Sequence, residues 1–374
     1  LAHTPVSVFE SLGTLLATMD AHLKDFSHPA AYRFNEWDLA QVLNCKTDLH
    51  HIVDHEKRTI ADYFLLQYEM EVLPLRHLLR KSVIHNDAND YNVLVKDGKV
   101  SGIIDFGDMV ESELINNVAI ACTYAMFKSE TPLENAVALL KSYHSVYPLT
   151  ETELSVLYYL IAARLCKSVV TSAKQRTESN NTHHFVSEHD AWVLLYQWIK
   201  INPLKANEAF NQSCGYASIL GNEADDLALI KDRKEMVGAN LSISYQKKLK
   251  IVKGALQYLY DDKGDTYIDC VNNVSHVGHC HPVVVRAMQK QIAKLNTNTR
   301  YLHDSLVNYA RMITSSLPPK LKVCYFCNSG SEANDLAIRI SRHFTKQKDI
   351  IVLDHAYHGT STVAIEMSPY KFDG

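Results

Sequence analysis

Asp87, Asn92 and Asp105 bracket a short apolar–turn–apolar unit whose spacing could gather their oxygens at one point. The runs Val93-Leu94-Val95 and Val100-Ser101-Gly102-Ile103-Ile104 flank Lys96-Asp97-Gly98-Lys99. Asp-Gly between two β-type runs predicts a two-residue hairpin. Pairing across that turn returns the end of the second strand to the start of the first and brings Asp105 beside Asn92. Asp87 lies on the loop that feeds the first strand, so a carboxylate, a carboxamide and a second carboxylate meet at one end of the hairpin. Oxygen ligands of this kind suit Mg²⁺, which takes one or two carboxylates together with substrate phosphates. Phosphoryl transfer needs such an ion, and an acidic residue to orient the attacking hydroxyl. An Asp/Asn-rich surface loop before an ordinary hairpin would explain any one of these residues, but not the set His85-x-Asp87, Asn92 and Ile104-Asp105-Phe106-Gly107-Asp108.

A second unit with chemistry in it lies far downstream. Val323 to Cys327 reads as an apolar strand running into Asn328-Ser329-Gly330-Ser331-Glu332 and then an amphipathic helix bearing Leu336, Ala337, Ile340 and Phe344. A strand, a glycine-containing turn and a helix N-terminus make a phosphate cradle, because free N–H groups and the helix dipole face the anion. Ser329-x-x-Glu332 is equally a plain capping box, so the pattern alone leaves both readings open. A buried strand over 350–353 then leads into His355-Ala356-Tyr357-His358-Gly359. His276, His279, Cys280, His281, Cys324 and Cys327 have zinc-ligand chemistry, and Cys324 and Cys327 have the spacing of a half-site. In a β run, however, that spacing sends the two side chains to opposite faces.

These units need positioning elements. Ser7-Val8-Phe9-Glu10 fits a capping box, and Phe9, Leu12, Leu16, Met19 and Leu23 recur at helical spacing, which predicts a helix over 8–23. Further helices are expected over 35–43 and over 48–80, the latter broken near Pro74, then over 114–127, 133–147, 154–165 and 188–199. From about Gly215 the composition turns small, polar and acidic, which marks a boundary. Beyond it the expectation is strands over 249–252, 256–260 and 266–270, then helices over 282–294 and 305–317, the first opened by Pro282.

Composition sets the bounds. A chain of 374 residues with 47% hydrophobic and 21% charged side chains has room for two or three domains and does not read as disordered. A net charge of −4 with no basic stripe argues against a nucleic-acid partner. The apolar stretch 154–166 is too short to span a bilayer and contains Arg164, so no membrane partner is expected. The 8 cysteines are scattered and no leader opens the chain, so free thiols in a reducing cytoplasm are expected. A first residue that is not Met and an unfinished last element lead us to expect a fragment of a longer protein.

The first motif resembles the catalytic and metal-binding segments of the aminoglycoside phosphotransferase and choline kinase group, and the string around Asn89-Asp90-Tyr91-Asn92 and Asp105-Phe106-Gly107-Asp108-Met109 looks most like its hydroxylysine-kinase-like branch. The resemblance implies Asp87 as catalytic base, Asn92 and Asp105 as Mg²⁺ ligands for bound ATP, His85 as a brace for the loop, and Asp108 as a partner for a substrate amine or a cap for the turn. No Gly-rich loop and no strand with an ATP-pairing lysine precede His85, so only the helical lobe of that fold is expected, binding ATP poorly on its own.

From about Asn240 the chain resembles the start of class III aminotransferase-fold enzymes dependent on pyridoxal phosphate. The stretches over 268–282 and 295–303 look closest to the ethanolamine-phosphate and phosphohydroxylysine phospho-lyase branch. In that family Gly330 and Ser331 would hold the cofactor phosphate and Tyr357 would stack on its ring. The family's Schiff-base lysine lies beyond Gly374, so this chain alone is expected to be inactive.

The implied architecture is an α+β kinase-like helical lobe over 1–215, a linker over 216–238, and an incomplete α/β fold type I domain over 239–374. The full protein would be a homodimer through the latter. A kinase acting on a small amino alcohol turns a poor leaving group into phosphate, which a pyridoxal enzyme could then expel to give an aldehyde and ammonia. The alternatives are the same kinase fused to a true transaminase, or an inactive remnant.

Overall fold

The hairpin and the first helix hold each other. In the computed structural model, which describes residues 4–178, 188–238, 241, 243, 245–271 and 274–370, α1 (Val6–Leu23) buries Val8, Phe9, Leu12 and Leu16, the stripe that its spacing predicts. The expected capping box does not form. The helix starts early enough that Pro5 occupies the cap position and Ser7 lies inside the first turn. Ser7 Oγ instead donates to the Gly98 carbonyl (3.0 Å), and Ser11 Oγ accepts the Val100 N–H (2.8 Å). Both hydroxyls pin β2 (Val93–Lys96) and β3 (Lys99–Ile103), which pair antiparallel across Asp97-Gly98 with a bulge at Leu94/Val95. Positive φ at both Asp97 and Gly98 is what the tight mirror-image turn requires.

The helical region expected over 48–80, with its break near Pro74, is interrupted earlier as well. A 3₁₀ segment Leu39–His51, capped by Asp38, replaces the short helix expected over 35–43. Asp54 then caps α2 (His55–Gln67), which passes through a π turn at Tyr68–Val72 and a 3₁₀ turn at Leu73–Leu78. Pro74 has no N–H to continue the ladder, so the last turns must change pitch. Next comes a strand missing from the sequence expectation, β1 (Lys81–Ile84), paired antiparallel with β4 (Val110–Glu113).

Helices α3 (Leu114–Ala125), α4 (Pro132–Val146), α5 (Glu151–Glu178), α6 (Glu188–Trp198) and α7 (Pro203–Ser213) complete the lobe. α4 lies so close to α1 that a Cβ on Gly13 would fall 2.2 Å from the Leu139 carbonyl oxygen. α5 is the central element. It is far longer than the apolar stretch 154–166 and is long and apolar enough to cross a membrane by length and composition, but 89% of its apolar window is buried within the lobe. Its start is fixed by Arg80, whose fork grips the fully buried Glu153 at 2.8 and 2.7 Å. Tyr158 stacks on Trp198 with centroids 4.9 Å apart and donates to the Trp198 carbonyl at 3.0 Å, locking α5 to α6. α7 begins at Asn202-Pro203, an N-cap and first-turn signal that the sequence expectation passed over in making α6 the last helix of the lobe.

The stretch expected as a linker carries an exposed helix, α8 (Glu223–Met236). β5 (Ile251–Ala255), β6 (Tyr258–Asp261) and β7 (Thr266–Ile268) form an antiparallel meander, and α9 (Pro282–Lys294) follows. By its contacts the chain divides into two units, residues 1–292 and 293–374. The second holds α10 (Asp304–Ser315), α11 (Gly330–Thr345) and a short α12 (Thr362–Glu366). The strands expected over 323–327 and 350–353 are absent there: both stretches are non-helical and pair with nothing among the described residues. A strand needs at least one paired neighbour to satisfy its backbone groups, and these stretches have none among the described residues.

Candidate active site and cofactor cradle

Asp87 stands at the end of β1 on a loop held from both sides. His85 is fully buried; its Nδ1 accepts the Asp87 N–H (3.3 Å) and its Nε2 faces the Ile104 carbonyl (3.1 Å), the pattern of a neutral ring. Burial also pushes its pKa down. The ring meets Phe106 edge-on at 5.1 Å. Asn86, with φ +66°, gives its N–H to Asn117 (3.2 Å), and Asn117 in turn donates to the buried Asp20.

Both oxygens of the Asp87 carboxylate are engaged, and Oδ1, with one donor, can accept another. Oδ2 accepts the side-chain amides of Asn89 and Asn92, each at 2.8 Å, and Oδ1 accepts Arg164 Nη2 at 2.9 Å. Burial raises the Asp87 pKa, and the guanidinium opposes that shift. Because the Asn92 amide nitrogen is committed to Asp87, its Oδ1 is the atom left to take a cation. The Ile104 N–H donates to the Asn92 carbonyl at 2.9 Å, so the hairpin brings Asp105, the next residue, alongside Asn92. Asp105 is exposed, sits at φ +63°, and accepts the Gly107 N–H at 3.2 Å. Among the described residues no three His, Cys, Asp or Glu side chains come together as a metal group. The His279 ring is paired with Asp269 at 2.7 Å.

Three residues of the site come from distant chain and were not marked as site residues from the sequence. Arg164, 2% exposed in the middle of α5, lies 4.9 Å from the Trp37 ring centroid and 5.5 Å from that of Tyr124, and also donates to the Tyr124 hydroxyl at 3.0 Å. A signal for it existed: a guanidinium inside an apolar run must find a partner. With Asp87, Asn89, Asp90, Tyr91 and Asp108, these three line a cavity of about 220 Å³. Its three carboxylates against one guanidinium leave it net negative. Asp108 is held by the Asn35 amide at 3.0 Å, and Arg33 donates to the Gly107 and Met109 carbonyls, so the 33–37 loop fixes the turn after β3.

In the second unit, Ser329 caps α11 by accepting the Glu332 N–H (3.2 Å), while Glu332 accepts the Asn328 N–H (2.8 Å). Nothing would meet a Cβ on Gly330 within 4 Å, so the helix start is open to an anion. Ser331 Oγ accepts the Thr360 N–H at 3.0 Å, and Asn334 donates to the His358 carbonyl at 2.7 Å. These bonds dock the 355–361 loop on the first turns of α11. Gly359 is needed there: its φ is +130° and a Cβ would lie 2.4 Å from Ser331 Oγ. Tyr357 stays exposed, edge-on to Tyr370 at 6.4 Å. An open helix N-terminus with an exposed aromatic ring on the loop docked against it fits a phosphate-bearing ring cofactor.

Residues 2–151 match the family described as "Phosphotransferase enzyme family", and residues 242–371 match "Aminotransferase class-III". The chain therefore joins a kinase-like phosphotransferase segment to part of a class III aminotransferase, fold type I, segment, and the latter family implies pyridoxal phosphate.

Its relatives include proteins named as aminotransferases and phospho-lyases. It is 55% identical to the Drosophila melanogaster "Alanine--glyoxylate aminotransferase 2-like" over 38% of this chain and 29% of that protein. It is 49% identical to the Caenorhabditis elegans "Ethanolamine-phosphate phospho-lyase homolog 1" over 39% of this chain and 31% of that protein. A solved phospholyase from Arthrobacter in complex with phosphoethanolamine is 37% identical, covering 38% of this chain and 34% of that one, with a TM-score of 0.37. The chain spans about a third of the length of the curated relatives it matches.

Proposed function

We propose that the protein to which this chain contributes phosphorylates a small amino alcohol, of the ethanolamine or hydroxylysine type, at the Asp87 cavity and passes it to a pyridoxal-phosphate-dependent phospho-lyase. The observation that carries the reading is the lining of that cavity. Asp87 sits where a hydroxyl could be oriented for attack, and Asp90, Asp108, Trp37, Tyr91 and Tyr124 offer carboxylates and aromatic faces to an ammonium group. Asn92 and Asp105 would share a Mg²⁺ ion with the phosphates of ATP. In the second segment Gly330 and Ser331 would hold the cofactor phosphate and Tyr357 its ring. The cofactor supplies an electron sink for bond cleavage next to the amine. The likeness to a relative named as a phospho-lyase homolog, 49% identical, supports elimination, whereas one named alanine–glyoxylate aminotransferase 2-like, 55% identical, supports transamination, and the assay below separates the two.

The test is amine-dependent ADP release with Mg²⁺-ATP, using Asp87→Asn as the control, followed by phosphate and ammonia release from the phosphorylated amine with pyridoxal phosphate added. ADP release that ignores the amine or survives in Asp87→Asn removes the kinase reading. Alanine or glutamate formed from a keto acid, with phosphate retained, replaces the lyase by a transaminase. The limits of the two enzyme segments along the sequence, at 215 and 239, the homodimer and the cytoplasmic setting belong to the same proposal.

A further inference from the structure

We infer that the helical lobe is the packing partner of the sheet that opens the aminotransferase-type segment, so that β5–β7 and the phosphotransferase-type lobe fold and unfold as one body. The inference is independent of which reactions the two segments catalyse. A three-stranded meander is at the limit of what stands alone and needs an apolar surface against one face. Here that surface is the lobe. Ala255, Leu256, Tyr258 and Tyr260 belong to the same apolar core as Tyr63, Tyr158 and Trp198. Tyr260, on the middle strand, is 1% exposed and its hydroxyl donates to the Ile199 carbonyl at the end of α6.

The polar contacts are as specific as the apolar ones. Asn202, 1% exposed, caps α7 through its Oδ1 (Leu204 N–H, 2.9 Å), while its Nδ2 donates to the carbonyls of Asp261 (2.8 Å) and Asp265 (3.0 Å) on the turn between β6 and β7. One side chain thus starts a lobe helix and receives the sheet. Lys253 on β5 reaches Glu71 (2.5 Å) and the Tyr159 hydroxyl (2.8 Å), and Arg286 on α9 reaches Asp62 (2.6 Å). Stripping the sheet away would expose the apolar faces of Ala255, Leu256, Tyr258 and Tyr260 and of the lobe residues beneath them to water, and would give up these hydrogen bonds together. The cooperative boundary therefore falls near residue 292, some way into the aminotransferase-type match, and not at the composition change over 216–238.

The experiment compares two probes on the full chain. All 3 tryptophans, Trp37, Trp192 and Trp198, lie in the lobe, so their fluorescence reports the lobe alone. Hydrogen exchange of the 251–268 amides, read by mass spectrometry across a urea series, reports the sheet. Coincident midpoints are expected. Asn202→Ala and Tyr260→Phe should each lower both midpoints together, by about 0.3 M or more. Sheet amides that open at a lower urea concentration than the fluorescence transition would overturn the inference, as would a variant that lowers the sheet midpoint and leaves the lobe's in place. The wild-type comparison decides the matter even if a variant does not fold.

Discussion

Arg164 is buried against Asp87, itself half-buried, and each is costly without the other. Removing the guanidinium leaves the half-buried carboxylate without its cation, with a penalty of about 1–3 kcal/mol. Arg164→Met is therefore expected to destabilise the lobe by roughly that amount in urea unfolding followed by tryptophan fluorescence. Arg164→Lys should cost less, because the charge stays, but should not restore wild type, since a single ammonium cannot replace the fork that serves Asp87, Tyr124 and the Trp37 face together. A Met variant as stable as the parent would mean that the pair contributes nothing. Gly359 makes a second prediction. Gly359→Ala forces a Cβ toward Ser331 Oγ at a φ that L-residues avoid, so the loop must lift off α11. Phosphate or pyridoxal phosphate binding at the helix start should then weaken at least about tenfold, the equivalent of 1.4 kcal/mol. Unchanged affinity by titration would show that the docked loop is irrelevant to the cradle. Legibility at this scale follows chain distance. Asp87, Asn92 and Asp105 share one hairpin and could be read from local pattern, whereas Trp37, Tyr124 and Arg164 join the site only through the packing of helices far apart in sequence.

At the scale of elements, α1, α3 and α4 hold the loop that carries Asp87 through a buried carboxylate. Asp20 on α1 is fully buried and accepts from Asn117 on α3 at 2.9 and 3.1 Å and from the Tyr143 hydroxyl on α4 at 2.7 Å. Burial raises its pKa to about 6, with the two hydrogen-bond donors pulling the other way. A carboxyl that binds its proton more tightly when folded adds stability below its ordinary pKa, and that stability is lost as the pH rises through about 6. The expected loss between pH 4 and pH 7 is on the order of 2–3 kcal/mol from this group. Asp20→Asn should flatten that part of the profile, and an equal slope in variant and parent would assign the pH dependence elsewhere. The local signals that succeeded here were strong ones: Asp-Gly between β runs, the apolar stripe of α1, and Pro282 at the first turn of α9. Those that failed depend on partners. β1 exists because β4 returns to it, and the Ser7 box gave way to the hairpin's need for a donor.

At the scale of the whole molecule the two units differ in how much they bury. Residues 1–292 enclose a continuous core around α5, whereas among the described residues of the second unit only Ile338 and Ala364 are buried hydrophobics. The helices of that unit are strongly amphipathic, yet Val307, Tyr309, Met312 and Phe344 remain exposed, as do Val323 and Ile351 on the extended stretches. Local opening is cheap where few apolar contacts are lost. Amides of α10 and α11 should therefore exchange with little protection under conditions where those of α3 and α5 exchange only by global unfolding. The hydrophobic dye 8-anilinonaphthalene-1-sulfonate should bind the chain while tryptophan fluorescence still reports a folded lobe. Adding pyridoxal phosphate should slow exchange in the first turns of α11 and in the 355–361 loop and leave the tryptophan transition where it was. A ligand at about a hundred times its dissociation constant stabilises its own unit by about 2.7 kcal/mol. Amides of α10 and α11 as slow as those of α5 without any ligand would show that the second unit has a core of its own, and protection by pyridoxal phosphate confined to the lobe would place the cofactor away from Gly330 and Ser331.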